Sequence, residues 1–353
     1  MARRRSAVRI SDVAEESGFS VATVSRALNP ETAVAVSAKT REAVAAAAAA
    51  LGYRPNDAAR SLRTNRSMIV GVVVPDISNL LFPRMVRGID DVLNEADYSS
   101  LLANTDGDPA RAEKAVDRLL QRGADGLILA TSALEDRRPS VLFDSGVPIV
   151  LLNRRTYDAR LPSVTPAGFR GVSAAFTALL KGGHRSITVL AAPQHTSTGW
   201  ERLSDVERVA AKRLGRSLPV VTAKAVSEEG GYRATAEVLG GGAAPTAIVA
   251  ANDLLALGAI RAVNDHGLSC PADVSVVGFN NMPFCERMDP PLSTIGFDHY
   301  AMGSESARMI LALIHGGPKP KSVHMPTTWI ERASTGPARA ETASGRQVHK
   351  VRR

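Results

Sequence analysis

Residues 10–29 read ISDVAEESGFSVATVSRALN, and this stretch decides the first part of the fold. Two short helical patterns flank Gly18, one from about Ser11 to Ser17 and one from about Val21 to Leu28. Ser20 stands at the cap position of the second, where a hydroxyl accepts a bond from an early helix amide. Gly18 supplies the left-handed backbone that a tight turn between helices needs. Val13, Ala14, Val24 and Leu28 form a small apolar face, and the short Ala14 side chain lets the helices approach. A third helix is predicted from about Ala38 to Leu51, behind Ser37 and ending at Gly52. Its Ala45–Ala50 run is strong helix former, not low complexity. The spacing is that of a helix–turn–helix. The second helix then enters a major groove by its N-terminal end, presenting Val21, Ala22 and Arg26. Ser20, Thr23, Ser25 and Asn29 are short polar groups suited to phosphate oxygens. Arg26 has the donor fork that reads guanine. A three-helix protein-interaction module is the competing reading of the same pattern.

Charge favours the first reading. The 353-residue chain carries a net +8, of which residues 1–66 hold +5 and residues 336–353 hold +4, leaving the body near neutral at −1. Two basic ends on a neutral body mark the segments that meet a polyanion. Cys270 and Cys285 cannot make a disulfide framework, and no Cys/His cluster has zinc spacing, so neither metal nor cofactor is expected. No apolar run approaches the ~20 residues of a membrane helix. Arg3-Arg4-Arg5 is followed by Ser11, Asp12, Glu15 and Glu16, not by an apolar export segment. A reducing cytoplasm is the expected location, with no membrane partner.

The texture changes at Met68. Strand patterns at Met68–Val74, Ser100–Ala103, Gly126–Ala130 and Ile149–Leu152 alternate with helical ones at Phe82–Glu95, Pro109–Arg122 and Pro139–Ser145. A second series begins near Gly168, with helices to Lys181, at Trp200–Arg213, Gly230–Leu239 and Leu254–His266. Its strands fall at Ile187–Ala191, near Val220, at Ala247–Ala251 and at Val274–Gly278. Such alternation predicts parallel sheets with right-handed crossovers, here two doubly wound α/β lobes. Ligands bind at the carboxyl ends of such strands, and a cleft between lobes is the natural place. The chain lacks G-x-G-x-x-G, G-x-x-x-x-G-K-[ST] and G-x-S-x-G signatures, and no catalytic residues are expected.

The string Asp12-Val13-Ala14, Gly18, Ser20, Thr23-Val24-Ser25-Arg26, Leu28-Asn29 resembles the start of LacI/GalR-type transcriptional regulators. The resemblance continues through Gly52-Tyr53-Arg54-Pro55-Asn56, Ala59 and Ser61-Leu62-Arg63. It resumes at Gly71–Asn79, Gly183-His184-Arg185, Ala251-Asn252-Asp253, Asp273–Gly278 and Pro290-Pro291-Leu292. It spans about residues 9–335. It implies an α/β chain with an N-terminal three-helix domain (1–55), a hinge helix (56–66) and a core of periplasmic-binding-protein type (67–335). The expected lobes are about 67–165 plus 297–320, and about 166–292 plus 321–335, with a disordered basic tail at 336–353. It implies a hinge in which Leu62, beside Ala59 and Asn56, wedges into the minor groove and bends the duplex. It also implies a homodimer on double-stranded, palindromic operator DNA. The family's tetramers use C-terminal leucine heptads, and residues 336–353 contain no leucine. The function implied is a ligand-responsive regulator, in the main a repressor, with a sugar or related metabolite as effector. The alternative is a cytoplasmic sugar receptor with no operator.

Departures from the family pattern carry information. Val21 and Ala22 occupy its two main base-reading positions and are too short and apolar to hydrogen-bond a base edge, so they suit a thymine methyl. Specificity then leans on Arg26, the hinge and DNA shape. The loop from Asn29 to Ser37 is about two residues longer than is usual there. For the effector, the family pattern implies Arg202, Asn252 and the position of Asn280, with Phe82 and Trp200 as stacking aromatics. The usual Gly-Phe-Asp-Asp reads Gly278-Phe279-Asn280-Asn281, and the usual Asp-Asn near Thr165–Gly168 reads Pro-Ala. Two carboxylates are missing, which permits a more acidic or less hydroxylated ligand than a simple hexose. Asn280 and Asn281 also fit a turn after a strand. Asp253 is expected to cap the helix at Leu254, and His184 to be a turn and interface feature.

Overall fold

The computed structural model describes residues 8–29, 33–53, 66–241 and 245–339. The chain forms two compact units, Met1–Ser67 and Met68–Arg353.

In the first unit, helices α1 (Ile10–Ser17), α2 (Val21–Leu28) and α3 (Ala38–Leu51) pack around Val13, Val24 and Val44, each fully buried. Gly18 takes φ 71°, and its amide bonds the Glu15 carbonyl. The turn therefore closes on the residue that lacks a side-chain penalty there. Ser20 caps α2 by accepting from the Thr23 amide at 3.2 Å, and Ser37 caps α3 in the same way through Thr40. Before α3, Ala33–Ala35 form a 3₁₀ turn. Asn56, Ala59 and Leu62 lie outside the described residues.

The second unit contains two sheets. The first joins β1 (Ile69–Val74), β2 (Ser99–Asn104), β3 (Gly126–Leu129), β4 (Ile149–Leu152), β5 (Ser163–Ala167) and β11 (Val323–Pro326) in the order β11-β5-β4-β3-β1-β2, all parallel. Helices α4 (Phe82–Glu95), α5 (Pro109–Gln121) and α6 (Arg138–Asp144) connect its strands. The second joins β6 (Ile187–Ala191), β7 (Val220–Thr222), β8 (Ala247–Ala250), β9 (Ser275–Asn280), β10 (Ser293–Gly296) and β12 (Thr328–Ile330) in the order β12-β10-β9-β8-β6-β7. Only the β10–β12 pair is antiparallel among the described strands. Its helices are α7 (Gly168–Lys181), α8 (Ser197–Leu214), α9 (Glu228–Gly240) and α10 (Asp253–Asp265), and α11 (His299–Ile314) returns to the first lobe. Strands β3, β4, β6 and β8 are buried along their whole length, as strands covered by helices on both faces must be.

The chain passes between lobes after Ala167, at Phe297–Asp298 and at Thr327. The Thr327 hydroxyl donates to the Ala167 carbonyl at 2.7 Å and accepts from the Gly171 amide at 3.2 Å. One side chain thus ties two crossing segments together. The last passage falls later than the expected boundary near residue 320. Val323–Pro326 pairs with Val164–Ala167 and completes the first sheet. Its residues alternate between half-buried and exposed, an edge-strand pattern without a continuous apolar run. The expected disorder from Gly336 is also corrected for residues 336–339. The Gly336 carbonyl lies 2.9 Å from His184 Nε2, its amide bonds Ser275 Oγ at 3.1 Å, and the Ala338 amide bonds the Gly182 carbonyl at 2.7 Å.

Helices α4 and α11 touch backbone to backbone. A Cβ on Gly303 would lie 1.9 Å from the Met85 carbonyl oxygen, and one on Gly88 2.2 Å from that of Tyr300. Only glycine permits this approach.

Candidate functional site

The first unit presents a polar and small-residue face on α2. Val21, Ala22, Ser25 and Arg26 are exposed, while Val24 points into the core. This alternation follows from the helical period, which turns residue 24 inward and residues 21, 22, 25 and 26 outward. Ser20 and Thr23 share a hydroxyl–hydroxyl hydrogen bond of 2.9 Å. Arg26 Nε donates to the Ala22 carbonyl at 3.3 Å, which lays the guanidinium back along the helix.

The second unit gathers its polar groups where strands end and the lobes meet. Thr196 caps α8 by accepting from the Gly199 amide at 3.2 Å. The helix then carries Arg202 inward, where it is only 8% exposed. Arg202 donates to the Ala251 carbonyl at 2.6 Å and to Asn280 Oδ1 at 2.8 Å, and it stacks 4.0 Å from the Phe279 ring centroid. Its Nε has no partner. Burial pushes the guanidinium down to about 10, Asp253 and Glu201 oppose that, and Arg154 adds to it by repulsion.

Asn252 caps α10, its Oδ1 accepting from the Leu255 amide at 2.9 Å. The cap is therefore Asn252 and not Asp253 as expected. Asp253 is instead the first residue of the helix and is fully buried. Its carboxylate accepts from the Met282 amide at 2.7 Å and the Thr294 hydroxyl at 2.6 Å. Burial pushes its pKa up to about 6, and these hydrogen bonds restrain the rise. Asn280 closes β9 at φ 117°, and Asn281 follows at φ 56°. Both turn the chain, as their residue type allows, but only Asn280 faces Arg202. Asn281 accepts from Arg332 at 2.8 Å.

The structure thus brings Arg202 and Asn280 into contact, and Arg202 also bonds the carbonyl of Ala251, the residue before Asn252. Phe82 is 2% exposed in the first lobe's core. Trp200, 44% exposed, lines a groove of about 870 Å³ with Arg155, Phe169, Asp205, Arg208 and His324. His184 is a core residue held by Thr246 and Gly336, not an interface feature of the surface.

Sequence reasoning missed the groups that follow β4. Asn153 takes φ 61° and is buried, with no partner for its Oδ1. Arg154 has a buried Nε without a partner, and burial lowers its pKa. Arg155 donates its amide to Ser197 Oγ at 2.9 Å and its Nε to Glu201 at 2.5 Å, joining the lobes. His299, 5% exposed, leaves Nε2 without a partner, and burial lowers its pKa. The available signal was position: Asn153-Arg154-Arg155 stands at the carboxyl end of a parallel strand, where ligands bind. Among the described residues no group of His, Cys, Asp and Glu forms a metal site, and no helix is long and apolar enough to cross a membrane.

A small helix–turn–helix unit followed by two α/β lobes of periplasmic-binding type defines the class of a transcriptional regulator. Residues 9–56 match the model for bacterial regulatory proteins of the lacI family, and residues 176–335 match the periplasmic binding protein-like domain. The chain is 34% identical over 312 residues to the HTH-type transcriptional regulator RegA of Clostridium saccharobutylicum, covering 88% of this chain and 93% of that one. It is 33% identical over 329 residues to the ribose operon repressor of Bacillus subtilis (strain 168), covering 92% and 98%. Its structure is similar to that of the lac repressor dimer bound to operator and the anti-inducer ONPF, with a TM-score of 0.84 and 29% identity. That match covers 94% of this chain and 99% of that one. The chain belongs to the lacI family of bacterial regulatory proteins.

Proposed function

We propose that this protein is a cytoplasmic, ligand-responsive transcriptional repressor that binds a palindromic operator as a homodimer. The observation that carries the reading is the exposed set Val21, Ala22, Ser25 and Arg26 on α2, held by the Gly18 turn and the Ser20 cap. Each protomer supplies one such helix, so a two-fold dimer reads two half-sites. Ser20, Thr23 and Asn29 flank the helix where phosphate oxygens run. Asn56, Ala59 and Leu62 form the hinge that wedges the minor groove. A small metabolite, sugar or sugar-like, binds between the lobes at Arg202, Asn252 and Asn280; Phe82, buried in the first lobe's core, and Trp200, on a separate groove, are not brought to these residues. Binding changes the angle between lobes and couples to operator affinity by about 1–3 kcal/mol.

The experiment is selection of bound sequences from random duplex DNA with full-length protein near physiological salt. An enriched palindrome is expected. Absence of enrichment, with and without a pool of metabolites, would overturn the operator reading and leave a ligand receptor.

A further inference from the structure

We propose that the groove beside Trp200 is a second small-molecule site, separate from the cleft at Arg202, and that it takes a nucleotide, with the base on Trp200 and the phosphate at Lys319 and Lys321.

Helix α8 keeps the two places apart. Arg202, Val206, Val209 and Ala210 are its buried face, the last three packed in the second lobe's core. Trp200, Glu201, Ser204, Asp205 and Arg208 line the groove of about 870 Å³. The helical period sets these two groups on different faces. The first lobe supplies the facing wall, from the loop after β4 and from Lys319–His324, the segment that leads into β11. The volume is that of a small-ligand site, which runs to about 300–1,000 Å³.

The groove has a surplus of positive charge, and the surplus has an address. Its lining holds five Lys/Arg and three carboxylates. Each carboxylate has its own arginine: Glu201 has Arg155 at 2.5 Å, Asp158 has Arg160 at 2.7 Å and Asp205 has Arg208 at 2.9 Å. That leaves Lys319 and Lys321, which no ion pair among the described residues engages. They flank Pro320, whose ring fixes the backbone between them. Pro166 and Ala167 line the same groove. They stand where the family pattern carries Asp-Asn, so a carboxylate that would oppose an anion is missing from this wall.

The aromatic groups select the rest of the ligand. Arg208 covers the Phe169 ring, 3.8 Å from its centroid. Trp200 is 44% exposed and stacks on no other ring or cation among the described residues. An open indole is a platform for a nucleobase, which stacks whatever its identity. A lysine ammonium binds phosphate as a point charge. Ser204 lies one helical turn from Trp200, and its hydroxyl has no hydrogen bond among the described residues, which suits a ribose hydroxyl. A neutral sugar would leave the lysines unused, and a bare anion would leave the indole unused. The lysines belong to the first lobe and Trp200 to the second. A nucleotide seated on both bridges the lobes and favours the arrangement that brings them together.

The test is calorimetry on the full-length dialysed protein with adenosine and guanosine monophosphate. Adenosine, which lacks the phosphate, and inorganic phosphate, which lacks the base, are the comparisons. At least one nucleotide is expected to bind roughly tenfold or more tighter than either fragment. Replacing both lysines, Lys319→Gln with Lys321→Gln, should weaken it roughly tenfold. Trp200→Ala should weaken it about fivefold or more, and Trp200→Phe should lose less. All three positions are exposed, and circular dichroism checks that each variant is folded. Unchanged nucleotide affinity in the lysine variant or in Trp200→Ala would overturn the site. So would a fragment that binds as tightly as the nucleotides, or no saturable binding of either nucleotide.

Discussion

Arg155 Nε lies 2.5 Å from Glu201 Oε1, and this pair joins the β4–β5 loop of the first lobe to the first turns of α8 in the second. The Arg155 amide adds a bond to Ser197 Oγ, and the Leu134 amide bonds the His195 carbonyl at 2.9 Å. Together they hold the lobes shut along one side of the cleft. Partly exposed pairs contribute modestly, about 1 kcal/mol or less, but lobe closure is an equilibrium that so small a term shifts several-fold. Glu201→Gln should therefore open the lobes. Trp200 is adjacent and half-exposed, and the chain's other tryptophan is Trp329. A red shift of tryptophan emission and a larger radius of gyration are expected. Identical emission and scattering for variant and wild type would remove the latch.

Asp253 makes stability depend on pH in a defined direction. Its folded pKa is raised to about 6 by burial, above the ordinary carboxylate value of 3.8. The folded state thus binds the proton more tightly, and its contribution is full below about pH 4 and is lost as pH rises through about 6. The bound on this effect is about 3 kcal/mol. Urea unfolding of Asp253→Asn between pH 4 and pH 7 should show a flatter profile than wild type. Parallel profiles would mean that Asp253 titrates normally.

Asn280→Asp restores a carboxylate opposite Arg202. The neutral contact of 2.8 Å becomes charge-assisted, worth about 1 kcal/mol more. At pH 7 the melting temperature should rise by about 2–4 °C. The gain depends on the carboxylate being ionised and fades as falling pH protonates it. An unchanged melting temperature would separate position 280 from Arg202.

Gly303→Ala tests the contact between α4 and α11. The added Cβ meets the Met85 carbonyl oxygen at 1.9 Å, so one helix must move. Overpacking of this kind costs about 1–3 kcal/mol. Chemical denaturation should show that loss, with no change in the spectrum of the folded state. A variant as stable as wild type would show that the helices can part freely.

Arg26→Ala is expected to cost about 1–3 kcal/mol at the selected operator and to relax one base position. A phosphate role would instead weaken all duplexes alike and reduce the salt slope by about one. Competition binding on the operator and on random duplex distinguishes the two.

Much of this architecture is legible in residue patterns. Phe82–Glu95, Gly168–Lys181, Ile149–Leu152 and Ile187–Ala191 fall where period and β-branching place them. The Gly18 turn and the Ser20 cap are local chemistry, and local chemistry reads directly from neighbours. Strands β5, β10, β11 and β12 were not legible. β5 contains Pro166, which breaks strand pattern, while β11 and β12 are short edge strands whose partners are distant in sequence. α11 was missed as a helix although Asp298 caps it, because much of its buried face is small or polar (Gly303, Ser304, Ser306) and leaves no apolar stripe there. At the cleft, Arg202 and Asn280 were legible through family pattern. Arg154 and His299 were not, since their partnerless nitrogens exist only once strands far apart in sequence end side by side.

The return of α11 and β11 to the first lobe also orders events during synthesis. The first sheet's edge and the glycine-mediated cover over α4 are encoded after all of the second lobe's strands but β12. A ribosome adding about 5–20 residues per second needs roughly 10–30 s to travel from Ala167 to Pro326. Throughout that interval the nascent first lobe presents an unfinished apolar surface. Chaperone contact during translation should concentrate there, on the face of α4 around Met85 and Gly88, and should end when residue 326 clears the exit tunnel.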